Sequence, residues 1–188
     1  LRARGVALHE MTLTQPIRWD AGCPLESLIY DALLLDAEPA PMKADAQLTG
    51  LVHRRLEPDE LAEDESLLKQ FFGLLVYAHY RTTPSDLRRI LDAPNIRLHA
   101  LISDNIVVAA TWIALEGGLP THVCNDVAWG RRRIRGHALA ETLASHSGRP
   151  DAGSLKMIRS VRIAVHPALR RRGLATQLVT AIHAFYSP

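Results

Sequence analysis

The densest chemistry in this sequence lies between Arg159 and Ala175, which reads Arg-Ser-Val-Arg-Ile-Ala-Val-His-Pro-Ala-Leu-Arg-Arg-Arg-Gly-Leu-Ala. A β-branched run stops at Pro167, a basic loop follows, and Gly173-Leu174-Ala175 opens a stretch with helical apolar spacing. The first amides of a helix have no intrahelical partner and sit at the positive end of its dipole, so they favour an anion. Gly173 lets the backbone come close to a pyrophosphate, Ala175 keeps the next contact small, and Arg170, Arg171 and Arg172 add positive charge. The plainer alternative is an ordinary strand-to-helix turn carrying surface arginines.

Other residues could take part. His79 stands in His79-Tyr80-Arg81-Thr82-Thr83-Pro84, and an imidazole titrates near working pH; the competing reading is a packed or helix-capping histidine. His166 is expected to shape the turn after its strand, and Glu116 to be a strand-end charge rather than a base. Arg131, Arg132, Arg133 and Arg135 could hold RNA phosphates or form a solvated charge run. The remaining histidines lack metal-ligand spacing, and Cys23 and Cys124 are far apart, so no metal site is expected and both thiols read as reduced.

The elements that must position these groups follow from pattern and punctuation. A helix is expected from Leu25 to Asp36, a linker from Ala37, a short strand over 51–56, and a helix beginning at Pro58 whose apolar stripe continues toward Tyr80. Pro84 starts a further short helix; Ile96–Ile102 and Ile106–Leu115 form a hairpin around Ser103-Asp104-Asn105. Helical stretches near 121–129 and 136–146, a strand over 157–165 and a helix over 174–185 complete an α+β order with a mostly antiparallel sheet.

The formal net charge of +2 hides an asymmetry. Residues 1–128 hold 11 Lys and Arg against 18 Asp and Glu, whereas residues 129–188 hold 11 against 2, which favours a polyanionic partner. With 188 residues, 47% of them apolar, and no run approaching the ~20 needed for a membrane span, the chain suits a soluble globular protein. The start lacks both Met and a signal peptide, which suggests a piece of something longer.

The stretch 159–175 resembles the acetyl-coenzyme A motif of the GNAT superfamily, here Arg170-x-x-Gly173-x-Ala175 after a strand. The resemblance implies the GNAT acyl-CoA N-acyltransferase fold (α/β, or α+β), with a mixed, mostly antiparallel sheet flanked by helices. It implies that Ile163, Ala164 and Val165 bind the pantetheine arm, and that Arg170, Arg171, Arg172, Gly173, Leu174, Ala175 and Thr176 hold the phosphates. A backbone amide near Ala164 or Val165 would serve the oxyanion. His79-Tyr80-Arg81-Thr82-Thr83-Pro84-x-Asp86-Leu87, Asp92-Ala93-Pro94, Leu115-Glu116-Gly117-Gly118 and Arg162–Pro167 narrow the resemblance to the bacterial tRNA(Met) cytidine acetyltransferases. Those cytoplasmic enzymes acetylate the wobble cytidine of elongator methionine tRNA, using acetyl-CoA and ATP with Mg.

Carried over, residues 1–36 are the tail of a RecA-like ATPase module, 37–56 a linker and 57–188 an acetyltransferase domain incomplete at its C-terminus. Arg18 would reach the ATP, His79 would act near the acetyl group, and the arginines of 131–135 would touch RNA. No G-x-x-x-x-G-K-[ST] loop is present, so this stretch alone is expected neither to hydrolyse ATP nor to modify tRNA. Two alternatives stay open: a GNAT enzyme acting on a protein or small amine, and a non-catalytic RNA-binding module on a vestigial GNAT fold.

Overall fold

The computed structural model describes residues 11–14, 16–79 and 82–187. The chain divides into two compact units, residues 1–35 and 36–188. Among the described residues the first unit contains one helix, α1 (Pro24–Leu33), started by Pro24 and closed by Leu34 in the left-handed conformation.

The second unit is built on a four-stranded antiparallel sheet in the order β1-β2-β3-β4: Val52–Leu56, Ile96–Ser103, Ile106–Gly117 and Lys156–Val165. Asp104 and Asn105 take positive φ values of 48° and 62°, so a two-residue turn joins β2 to β3. One face of the sheet is covered by α3 (Glu65–Ala78) and α4 (Pro84–Asp92), against which α2 (Pro58–Glu63) packs, and the other by α7 (Leu174–Tyr186). Between β3 and β4 lie α5 (Thr121–Ala128) and α6 (Ala138–His146), which close on a small apolar cluster of Val123, Val127 and Ala144.

The structure differs from the sequence expectation at two places. The helix starting at Pro58 breaks at Asp64, whose carboxylate accepts the Leu67 amide at 2.9 Å and so opens a second helix. The stretch from Ala37, expected as a linker, lies within the second unit and is strapped down without regular structure. Its carbonyls find side-chain donors: Ala40 receives His166 Nε2 at 2.7 Å, Ala46 receives Arg172 at 2.7 Å and Thr49 receives Ser103 Oγ at 2.7 Å. Gly73 of α3 lies against the Glu38 backbone so closely that a Cβ would overlap it. From Val52 to Leu56 the chain is the sheet's edge strand, paired with Ile102 to Leu98.

On the α7 face, His53, His99 and Tyr186 form a chain: His53 Nε2 lies 3.0 Å from His99 Nδ1, and His99 Nε2 lies 3.1 Å from the Tyr186 hydroxyl. Burial, with smaller contributions from His53 and Arg55, lowers the His99 pKa to about 4, so the imidazole stays neutral at neutral pH and can act as both donor and acceptor. Sequence reasoning singled out neither histidine, because the three residues are separated by 46 and 87 positions.

Candidate functional site

The pairing of β3 with β4 slips by one residue between Trp112 and Ile113, which face Arg162 and Ser160 and leave Val161 as a bulge. A one-residue slip reverses which face each side chain meets. Lys156, Ile158 and Ser160 line a groove with α7, and after the bulge it is Ile163 and Val165 that pack toward α7. Arg162 is thereby turned to the opposite face. Thr111 bridges the irregularity, donating to the Arg162 carbonyl at 2.6 Å and lying 3.4 Å from Ser160 Oγ.

On that face Arg162 meets the turn after α3. Its guanidinium donates to Thr82 Oγ1 at 2.9 Å and to Asp86 Oδ2 at 3.0 Å, and it lies 5.6 Å from the centre of the Trp112 ring. Asp86 also receives the Thr83 amide at 3.0 Å, closing a capping box at the start of α4. Thr82 Oγ1 in turn lies 3.2 Å from the carbonyls of Leu75 and His79. Thr82, Thr83 and Asp86 of the motif seen in the sequence therefore form a corner pinned to β4. His79 caps α3, and its Nε2 is buried with no hydrogen-bond partner among the described residues. Tyr80 and Arg81 lie outside the described residues.

The edge of β4 away from β3 pairs with no strand among the described residues. The His166 amide donates to the Val108 carbonyl at 2.9 Å. In an antiparallel pair the direction alternates, so the Ala164 amide faces β3 while those of Ile163 and Val165 face the open edge. Of the three residues expected along a pantetheine arm, two thus present free amides. Ala164 contributes a small side chain, 3% exposed, under the helical layer.

Past Pro167 the chain makes one 3-10 turn, Pro167–Leu169, and Leu169 is fully buried. His166 fixes this bend: its Nδ1 accepts the Ala168 amide at 3.3 Å, so the proton on Nε2 goes to Ala40. The loop then turns through Arg171 and Gly173, with φ of 65° and 76°. Gly173 is the N-cap of α7 and offers no side chain to cap it. Gln177 is the first residue of α7 whose amide finds an intrahelical carbonyl, that of Gly173 at 3.0 Å, so the amides of Leu174, Ala175 and Thr176 are left as donors. A Cβ on Gly173 would meet nothing within 4 Å, so the space above the turn is open.

Leu174 anchors the helix in a cluster with Leu169, Leu178 and Ile182, which holds those amides in place. Arg170 lies 5.6 Å from the centre of the Tyr77 ring and Arg172 bonds to Ala46, while Arg171 is exposed. An open edge strand leading to free helix amides and cationic side chains fits an extended ligand that ends in phosphates. It is the Tyr77 contact that links this loop to the end of α3, beside His79.

The other candidates lie apart. Glu116 is fully buried at its side chain, paired with Arg159 at 2.6 Å, and accepts the Leu139 amide at 2.7 Å at the start of α6. It is a structural charge, as the sequence suggested. Arg131, Arg132, Arg133 and Arg135 are exposed in the loop between α5 and α6. In the first unit Arg18 is exposed and lines a shallow groove with Trp19, Cys23, Glu26 and Tyr30. Among the described residues no cluster of three or more His, Cys, Asp or Glu could hold a metal ion, and no helix is long and apolar enough to cross a membrane.

Residues 70–188 match the family model described as GNAT acetyltransferase 2. Residues 1–36 match the one described as RNA cytidine acetyltransferase NAT10/TcmA, helicase domain. A protein of Nitrosococcus halophilus (strain Nc4) called tRNA(Met) cytidine acetyltransferase TmcA is 44% identical over 174 residues, covering 92% of this chain and 23% of that protein. One of the same name from Haloferax volcanii is 45% identical over 172 residues, with 90% and 23% covered. The one from Yersinia pestis (strain D106004) is 40% identical over 182 residues, with 94% and 26% covered. The chain spans about a quarter of the length of these curated relatives.

Proposed function

From the premise that this chain belongs to the GNAT acetyltransferase 2 family, we propose that it forms the acetyl-CoA-binding part of an RNA cytidine acetyltransferase, which transfers acetyl to N4 of the wobble cytidine of elongator tRNA(Met). The observation that carries this reading is the open edge of β4 running into the uncapped amides of α7. It is joined by the identity to relatives named for that activity.

Bound acetyl-CoA supplies an acetyl group activated as a thioester. The outward amides of Ile163 and Val165 would share two tasks, one holding the pantetheine arm and the other donating to an oxyanion. Leu174, Ala175 and Thr176 with Arg170, Arg171 and Arg172 hold the phosphates. The exocyclic amine of cytosine is unprotonated at neutral pH but weakly nucleophilic, so alignment and removal of one proton are the tasks left to the protein. His79, with its unpartnered Nε2 on the corner fixed by Arg162, is the group assigned beside the acetyl. Residues 1–36 belong to an ATPase module and 57–188 to the acetyltransferase domain, whose sheet also takes its edge strand, 52–56, from the stretch that follows the module; Arg18 would contact ATP with its Mg. Such an enzyme works in the cytoplasm, where its tRNA is.

The test uses radiolabelled acetyl-CoA, ATP with Mg and elongator tRNA(Met) with the protein at its full length. Label in N4-acetylcytidine at the wobble position is expected, with turnover lowered about 100-fold by His79→Ala at unchanged acetyl-CoA affinity. Label found instead in a peptide or a small amine would replace the proposal with a different acceptor.

A further inference from the structure

Trp129 stands at the C-terminal end of α5 and is 75% exposed, far more than Trp112, which is 1% exposed. Immediately after Trp129, Gly130 turns the chain with φ of 70°, and Arg131, Arg132, Arg133 and Arg135 follow, all exposed. Among the described residues the acidic contact to this cluster is Arg133 to Glu141 at 3.7 Å, long for an ion pair. The loop's backbone is nonetheless held. The amides of Arg131 and Arg132 bond to the Asp126 carbonyl at 2.8 and 3.2 Å, and the Ile134 amide to Glu141 Oε2 at 3.2 Å. Ile134 packs against the cluster of Val123, Val127 and Ala144, and the Gly136 carbonyl receives Asn95 at 3.3 Å. A fixed backbone thus offers one large aromatic face beside four cations whose side chains are otherwise little engaged.

We propose that Trp129 and the arginines of 131–135 form a stacking platform for single-stranded RNA, the indole taking an unpaired base and the guanidinium groups its phosphates. An aromatic face with flanking positive charge is what a splayed nucleotide requires, whereas an apolar protein partner would be served poorly by a lone indole among cations. The platform lies beyond the Gly117–Lys156 end of the sheet. From Lys156 to Ile163 β4 runs about 20 Å, so the bound base would be a loop neighbour and not the acetylated one. This inference rests on the RNA reading above and adds to it a residue and a site remote from the transfer.

The experiment measures binding of a fluorescein-labelled, unstructured RNA of about 12 nucleotides across a salt series, together with acetyl-CoA affinity. Trp129→Ala is expected to weaken RNA binding about tenfold with the salt slope and acetyl-CoA affinity unchanged, and Trp129→Phe to keep most of it. Arg131→Gln with Arg132→Gln is expected to lower the salt slope by about 0.7 per residue. RNA binding by Trp129→Ala equal to the parent's would overturn the platform while leaving the RNA reading intact. Capture of a protein through Trp129 would likewise overturn the platform alone, whereas a full-length parent that binds no RNA would overturn both.

Discussion

Gly173→Glu is expected to weaken acetyl-CoA binding by at least ~100-fold while leaving the fold in place. Two effects act together. Gly173 has φ of 76°, a region costing a side chain about 1–2 kcal/mol, so the turn aiming the α7 amides is strained. The new carboxylate would stand in the open space beside those amides, where the diphosphate must sit, and would take their place as the dipole's anion. Together these reach about 3 kcal/mol, or about two decades of affinity. Since Gly173 is exposed and α7 is anchored by Leu174, Leu178 and Ile182, the circular dichroism spectrum should not change. Gly173→Ala carries the strain without the charge, so its loss should stay near tenfold. Calorimetry on both variants separates the two causes; an affinity for Gly173→Glu within a few-fold of the parent would remove the phosphates from this turn.

Arg162→Met should cost about 3 kcal/mol of stability. The side chains of Arg162 and Asp86 are only 17% and 10% exposed, and removing the cation strands a buried carboxylate. Thr82 would lose its guanidinium donor at the same time, so the corner bearing His79 would loosen from β4. Urea unfolding should show the loss, and acetyl transfer should fall with it. Adding Asp86→Asn to Arg162→Met should return part of the stability, because the stranded charge is gone. A single-variant cost under about 1 kcal/mol would mean that the corner is held by its capping box alone.

Much of this was readable along the chain. Pro58 and Pro84 mark helix starts, Asp104-Asn105 marks the hairpin, and the β-branched run before His166-Pro167 marks the strand. The turn and helix start at 170–176 were legible because a strand end, a turn and a helix start are local devices, written in consecutive residues. What escaped is non-local. The 76-residue gap between Asp86 and Arg162 hides the ion pair that explains the Thr-Thr-Pro-x-Asp corner. The Val161 bulge reverses the faces of β4 and cannot be read from a continuous run of Ser, Val, Arg and Ile. The break at Asp64 was obscured because its neighbours Glu63 and Glu65 suit a helix's first turn as well as Asp64 suits a cap.

The central claim is that the outward amides of β4 and the first amides of α7 hold acetyl-CoA together. Backbone amide resonances followed by NMR during titration with acetyl-CoA test it residue by residue. Ile163 and Val165 should move with Leu174, Ala175 and Thr176 at one common affinity, with Ala164 shifting less than either neighbour. Shifts confined to another surface, or saturation without movement at the start of α7, would contradict it.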